Sequence, residues 1–193
     1  MQPAPALQPT LWRTCRGLAN LTRLKIFGFL LRQSWQPVSA VARQLHLPLP
    51  VASRDLRILE SRGLLAARRS GRWVNYRISP AKSAKVHSSL LAALRGVFQR
   101  DPEPAQTIFA LATAFTHPRR VEIFKVLKTG PRTLEQLRSA TGISIWALLR
   151  HLRKLEKRGF VIRREKHYNV PDFSNGLRRE LSRLTTARAN ERA

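Results

Sequence analysis

Acidic side chains are scarce in this chain: 11 Asp+Glu stand against 36 Lys+Arg, a formal net charge of +25 over 193 residues. The imbalance is no tail effect, with 17 Lys+Arg against 2 Asp+Glu through residue 100 and 19 against 9 beyond it. Positive charge of this size and spread points to a polyanionic partner, nucleic acid being the default. Cysteine is nearly absent. Cys15 stands alone, which excludes an intrachain disulfide framework, agrees with a reducing compartment, and suits a small buried apolar side chain. Long apolar runs are missing too: Ile26 to Leu31 is far below the ~20 residues of a membrane span. Met1 to Thr10 is rich in Pro and Ala and lacks the apolar run of a signal peptide. The expectation is a cytoplasmic protein with no membrane partner.

Catalytic and metal-binding patterns are also lacking. With so few acids, no Cys/His pair, no glycine-rich phosphate loop and no serine elbow, nothing forms a catalytic constellation, so the chain reads as a non-enzyme without a cofactor. His87 sits between Val86 and Ser88 with no acid nearby, and a transition-metal site needs several convergent ligands. No metal is expected.

What is present is a repeat. Residues 54–63 and 150–159 share the pattern R-x-L-R-x-L-E-x-R-G, shifted by 96 positions, which divides the chain into two units of roughly 90 residues. Leu56 and Leu59 continue a helical stripe begun by Ala52, and Leu152 and Leu155 one begun by Leu148. Gly63 and Gly159 stand where a left-handed closing residue is wanted, just after Arg62 and Arg158. At about 100° per residue, Pro50/Trp146, Arg54/Arg150, Arg57/Arg153 and Ser61/Lys157 fall opposite the stripe. One face is buried and the other is mostly cationic.

The surroundings repeat as well. Residues 1–10 read as a disordered arm. Helices are expected over Leu11 to Ala19, from Leu21 with Asn20 as N-cap, and over Val38 to Leu45, with a turn from Gln33 to Pro37 and a link from His46 to Leu49. Leu64 to Arg69 and Arg72 to Ile78 read as a hairpin around Ser70-Gly71, with Val74, Tyr76 and Ile78 inward and Arg69 and Arg72 projecting. Ala81 to Arg100 forms a helix with Val86, Leu90, Leu94 and Val97 as its seam, completing a domain at 11–100. Asp101-Pro102-Glu103-Pro104 is a linker. The second domain, 105–193, repeats the order: a helix from Ala105 to Thr116, one opened by His117-Pro118, a Gly130-Pro131 turn, a helix from Leu134 to Ala140, and Ser144 as cap of the glycine-stopped helix. A shorter hairpin over Phe160 to Val170 and a closing helix from Asn175 to Ala189 follow. The fold class is mainly α with small β-hairpins. Helix, short turn and helix with an outward basic face make a helix-turn-helix.

The run Leu18-Ala19-Asn20-Leu21-Thr22-Arg23-Leu24-Lys25-Ile26, then Val51-Ala52-Ser53-Arg54-Asp55-Leu56 with Leu59, Gly63-Leu64, Gly71-Arg72 and Tyr76, resembles the winged helix of ArsR-type bacterial transcriptional regulators. Thr116 to Ile123, Leu149-Arg150-His151-Leu152 and Gly159 through Tyr168 resemble a second copy, so the whole is two tandem winged helix-turn-helix domains. The resemblance implies a sequence-specific regulator whose recognition helix enters the major groove of double-stranded DNA. Such proteins usually carry one winged helix and dimerise through terminal helices. Two copies in one chain imply a monomeric pseudo-dimer, with a homodimer as the other arrangement. The paired cysteines or His/Asp/Glu clusters of metal-sensing members are missing, and Leu149 replaces the serine seen at Ser53.

The candidate DNA contacts follow. Arg54, Arg57, Arg150 and Arg153 suit base edges or nearby phosphates, arginine being the side chain fitted to bidentate contact with guanine. Pro50, Ser53, Ser61, Ser144 and Lys157 share those helices. Trp146 either touches a thymine methyl or packs against the wing. Arg69, Arg72, Arg163, Arg164 and Lys166 on the hairpins would hold backbone or minor groove. The alternative is an architectural or replication-type protein that binds nucleic acid through charge alone.

Overall fold

The structure is a computed structural model and describes residues 10–80 and 85–186. Its first half runs α1 (Leu11–Leu18), α2 (Leu21–Leu30), β1 (Gln36–Pro37), α3 (Val38–Gln44), α4 (Leu49–Glu60), β2 (Leu65–Ser70), β3 (Trp73–Ile78) and α5 (Lys85–Arg100). The same order recurs as α6 (Pro104–Ala112) with a 3-10 turn at Thr113–Phe115, α7 (Pro118–Leu127), β4 (Arg132–Thr133), α8 (Leu134–Thr141), α9 (Ile145–Lys157), β5 (Ile162–Arg164), β6 (His167–Asn169) and α10 (Gly176–Thr186). The architecture is mainly helical with two small antiparallel sheets, ordered β1-β3-β2 and β4-β6-β5.

Local chemistry sets the helix ends. Asn20 Oδ1 accepts the Arg23 amide at 2.9 Å, and His117 Nδ1 accepts the Arg119 amide at 3.2 Å with Pro118 in the first turn, satisfying donors that a helix start leaves without partners. α8 opens on a reciprocal pair, Thr133 with Gln136, that the sequence reading did not anticipate. Gly63 and Gly159 close α4 and α9 at φ 69° and 68°. The chain then turns back, so Leu64 N–H donates to Leu59 C=O at 3.1 Å and Phe160 N–H to Leu155 C=O at 3.0 Å.

Several expectations need correction. The segment 33–37 is more than a turn: Gln36 and Pro37 pair with Tyr76 and Asn75, and Arg132 and Thr133 pair likewise with Tyr168 and His167. Two-residue strands carry no periodicity, and proline is tolerated on such an edge. Leu49 and Pro104, read as link and linker, are the first residues of α4 and α6. The helix expected to Thr116 gives way to the 3-10 turn after Ala112. The expected arm at 1–9, the start of α5 at 81–84 and the end of α10 at 187–189 lie outside the described residues.

The two halves share one apolar core. Cys15 and Leu18 of α1, Leu24 and Phe27 of α2, Leu90 and Leu94 of α5, Ile108 and Phe115, and Leu177 and Leu181 of α10 belong to a single buried cluster. Within it α5 packs on α10, α2 on α6, and α1 on α6 and the 3-10 turn. Each fully buried leucine contributes roughly 1.5–3 kcal/mol, so separating the halves would expose a costly face. A polar clasp crosses the same seam: Ser89 Oγ donates to Glu180 Oε1 at 2.7 Å and Arg183 donates to Ser89 Oγ at 2.8 Å.

Candidate nucleic-acid interface

α4 and α9 carry the buried stripes Ala52, Leu56, Leu59 and Leu148, Leu152, Leu155, and 3.6-residue periodicity then turns the intervening residues outward. Pro50, Arg54, Arg57 and Ser61 are exposed on α4 or its end, and Trp146, Arg150, Arg153 and Lys157 on α9. Ser53 is half-buried. Arg57 donates to Ser53 Oγ at 2.8 Å one turn back, which aligns its guanidinium along the outward face and replaces the pairing with Glu60 that the spacing allowed. Ser61 Oγ donates to Ile58 C=O at 2.9 Å. Trp146 is 84% exposed, so it does not pack against the hairpin. Ser144 stands at the N-cap of α9, but its side chain makes no capping hydrogen bond; the second helix starts without that support.

The hairpins flank these helices. Arg69 and Arg72 are exposed beside Gly71 at φ 60°, and Arg163, Arg164 and Lys166 are exposed on the shorter hairpin, whose turn uses Glu165 at φ 53° in place of glycine. Arg163 lies over the Tyr168 ring at 5.8 Å and donates to Glu165 C=O at 3.0 Å. Two residues escaped the sequence reading. Trp73 is 58% exposed next to the first turn, as the inward alternation of Val74 and Tyr76 implies for its neighbour. The guanidiniums of Arg68 and Arg77 lie over the Trp35 ring at 4.7 and 4.5 Å, contacts worth about 0.5–1 kcal/mol each at an exposed site.

Beneath the outward faces the units differ at a buried polar position. Asp55, 1% exposed, pairs with Arg23 at 3.4 Å and Arg54 at 3.6 Å. Arg23 also donates to the Gly17 and Arg16 carbonyls. Arg120 stands in the equivalent place, donating to the Ala114 and Thr113 carbonyls and to Thr116 Oγ1. Its partner position holds His151, 4% exposed, with neither ring nitrogen hydrogen-bonded. Burial first, then His117, Arg120, Arg150 and Arg119, push His151 down to about 4. His117 is lowered by burial, then by Arg120, Arg119, Arg150 and Arg16. Cys15 is pushed up to about 12 by burial, with Arg120 acting against it. Aligning the two copies brings Asp55 opposite His151, a signal available in the sequence.

Among the described residues no group of three or more His, Cys, Asp or Glu is placed to hold a metal ion, and no helix is long and apolar enough to cross a membrane.

This geometry defines a helix-turn-helix followed by a hairpin, and part of it is similar to known proteins. Residues 117–163 match the model of the bacterial regulatory protein, arsR family. The chain is similar to the HTH-type transcriptional repressor SmtB of Mycobacterium tuberculosis, in strains CDC 1551 / Oshkosh and ATCC 25618 / H37Rv, 39% identical over 64 residues. That alignment covers 33% of this chain and 47% of SmtB, so the chain spans about half the length of the curated relatives it matches. Among solved structures it is similar to a possible transcriptional regulatory protein (fragment 1-100) from Mycobacterium bovis, 35% identical over 46% of this chain and 89% of that one, TM-score 0.37. It is also similar to the solution structure of a homodimeric winged helix-turn-helix DNA-binding domain from Mycobacterium bovis, a possible ArsR-family transcriptional regulator. There the identity is 34%, over 47% of this chain and 80% of that one, with TM-score 0.38.

Proposed function

We propose that the chain is a sequence-specific, double-stranded-DNA-binding transcriptional regulator in which two tandem winged-helix units act as an internal pseudo-dimer. The observation that carries this reading is the pair of glycine-closed helices, α4 and α9, which present matching arginines, Arg54/Arg150 and Arg57/Arg153, from one shared core. Those arginines and Trp146 read base edges, while Arg69, Arg72, Arg163, Arg164 and Lys166 hold phosphates or the minor groove. A net charge of +25 makes affinity fall steeply with salt, since each neutralised phosphate releases counterion.

Selection of bound sequences from a random duplex library, followed by titration of the winner against bulk DNA, tests the reading. The expected preference is three orders of magnitude or so. Enrichment of no sequence would leave the charge-driven architectural protein as the better account.

A further inference from the structure

A groove of about 800 Å³ opens beside the first unit, and no residue of α4 or α9 lines it. Its apolar floor is made by Phe29, Leu45 and Phe98, each half-buried. Lys25, Arg32 and Arg95 line it as exposed cations, and no carboxylate does. Among the described residues none of the three cations has a carboxylate within 4.0 Å, although the chain's few ion pairs are satisfied elsewhere.

Gly28 shapes one wall. A Cβ there would lie 2.5 Å from the Phe98 ring, so only glycine lets that ring rest on α2, where it also meets Phe27 at 5.8 Å between centroids. The second unit has Lys125 at the equivalent place in α7, and its helix cannot accept a ring so closely. The ring wall is therefore particular to the first unit, and the second adds Pro104, at the start of α6, to the lining.

We propose that this groove binds a small organic anion, a carboxylate carrying an aryl or alkyl body. The volume suits such a molecule, since ligand pockets commonly run about 300–1,000 Å³. The apolar floor takes the body, and the unpaired cations supply charge-assisted hydrogen bonds to the carboxylate. The walls come from α2, the end of α3 and α5, so an occupant ties the helix-turn-helix of the first unit to the α5–α10 seam. That regulatory consequence rests on the DNA-binding reading, whereas the binding itself does not.

Calorimetric titration of the full chain with 4-phenylbutyrate, octanoate and 4-phenylbutyramide, in the absence of DNA, tests the site. At least one carboxylate should saturate one site per chain and bind about tenfold or more tighter than the neutral amide. The exposed double variant Arg32→Glu/Arg95→Glu should melt like the parent and lose that affinity about tenfold or more. Arg179→Glu, an exposed cation on α10, should change it less than about twofold. Amide-signal perturbations should centre on Gly28, Leu45 and Phe98. Failure of both carboxylates to saturate, equal affinity for the amide, or equal weakening by Arg179→Glu would each overturn the proposal, the last by showing a general response of a cationic surface. Perturbations centred on α4 or α9 would overturn it as well.

Discussion

His151 packs against His117 at 4.9 Å between ring centroids, in the place where the first unit joins Asp55 to Arg23 at 3.4 Å. α4 is therefore tied to α2, and α9 to the start of α7, by different chemistry. The first uses a buried ion pair; the second uses the buried His151 ring, which feels His117, Arg120, Arg150 and Arg119.

That difference gives the second unit a pH response. His151 binds a proton less readily folded than unfolded, so its stabilising contribution is complete above the unfolded value of 6.5 and is lost as pH falls toward about 4. His117 acts in the same direction. The loss attributable to His151 is at most roughly 3 kcal/mol. Urea midpoints of the parent should fall between pH 6.5 and 4 more steeply than those of His151→Leu, which keeps a buried side chain and removes the titration. Parallel curves would show that His151 titrates as it does in the unfolded chain.

Asp55 gives the converse test. Removing one partner of a buried pair leaves the other charge without compensation, which costs about 3–5 kcal/mol. Arg23 retains carbonyl acceptors in Arg16 and Gly17, so Asp55→Ala should lie near the lower end, about 3 kcal/mol in urea unfolding at neutral pH. A loss below about 0.5 kcal/mol, typical of a surface position, would mean the pair has no structural role.

The same comparison shows what was legible in the sequence. Eight-residue and longer helices appear through their apolar period, and the left-handed glycines at 63 and 159 mark their ends. Asp55 lies three residues from Ala52 and four from Leu59, squarely on the buried stripe. Its burial depends on Arg23, 32 positions away, a contact that no local pattern contains. β1 and β4 stayed hidden for a similar reason: each is defined by its pairing across the sheet and by no pattern of its own. Spacing puts Trp146 opposite the leucine stripe, but whether it packs on the hairpin is a tertiary matter that spacing does not fix. The exposure of Arg54, Arg57, Arg150 and Arg153 follows from helical periodicity.

Reading and holding should separate by mutation. Arg57 and Arg153 are exposed on the outward helix faces, and Arg72 at a hairpin turn. Arg57→Ala or Arg153→Ala should cost about 1–3 kcal/mol on the selected duplex and much less on random DNA. Arg72→Ala should weaken both alike and reduce the salt slope by about one charge. Because Arg57 is exposed and its side chain donates to Ser53 Oγ on its own helix, the melting transition should stay in place. Uniform loss on every sequence for the helix variants would recast these arginines as phosphate clamps.

Trp146, at 84% exposure, should be dispensable for folding. Trp146→Ala should shift unfolding by less than about 0.5 kcal/mol, while affinity for the selected duplex falls. Unchanged affinity would remove Trp146 from the interface.

The central claim is that one chain supplies both reading heads. The most direct test is the mass of the complex on the selected duplex, by sedimentation, combined with its footprint. The account predicts one chain per duplex, protecting two unlike major-groove segments, because the heads differ at Pro50/Trp146, Ser53/Leu149 and Ser61/Lys157; with both heads on one side, their centres lie about 34 Å apart. Two chains on a strict palindrome would contradict it.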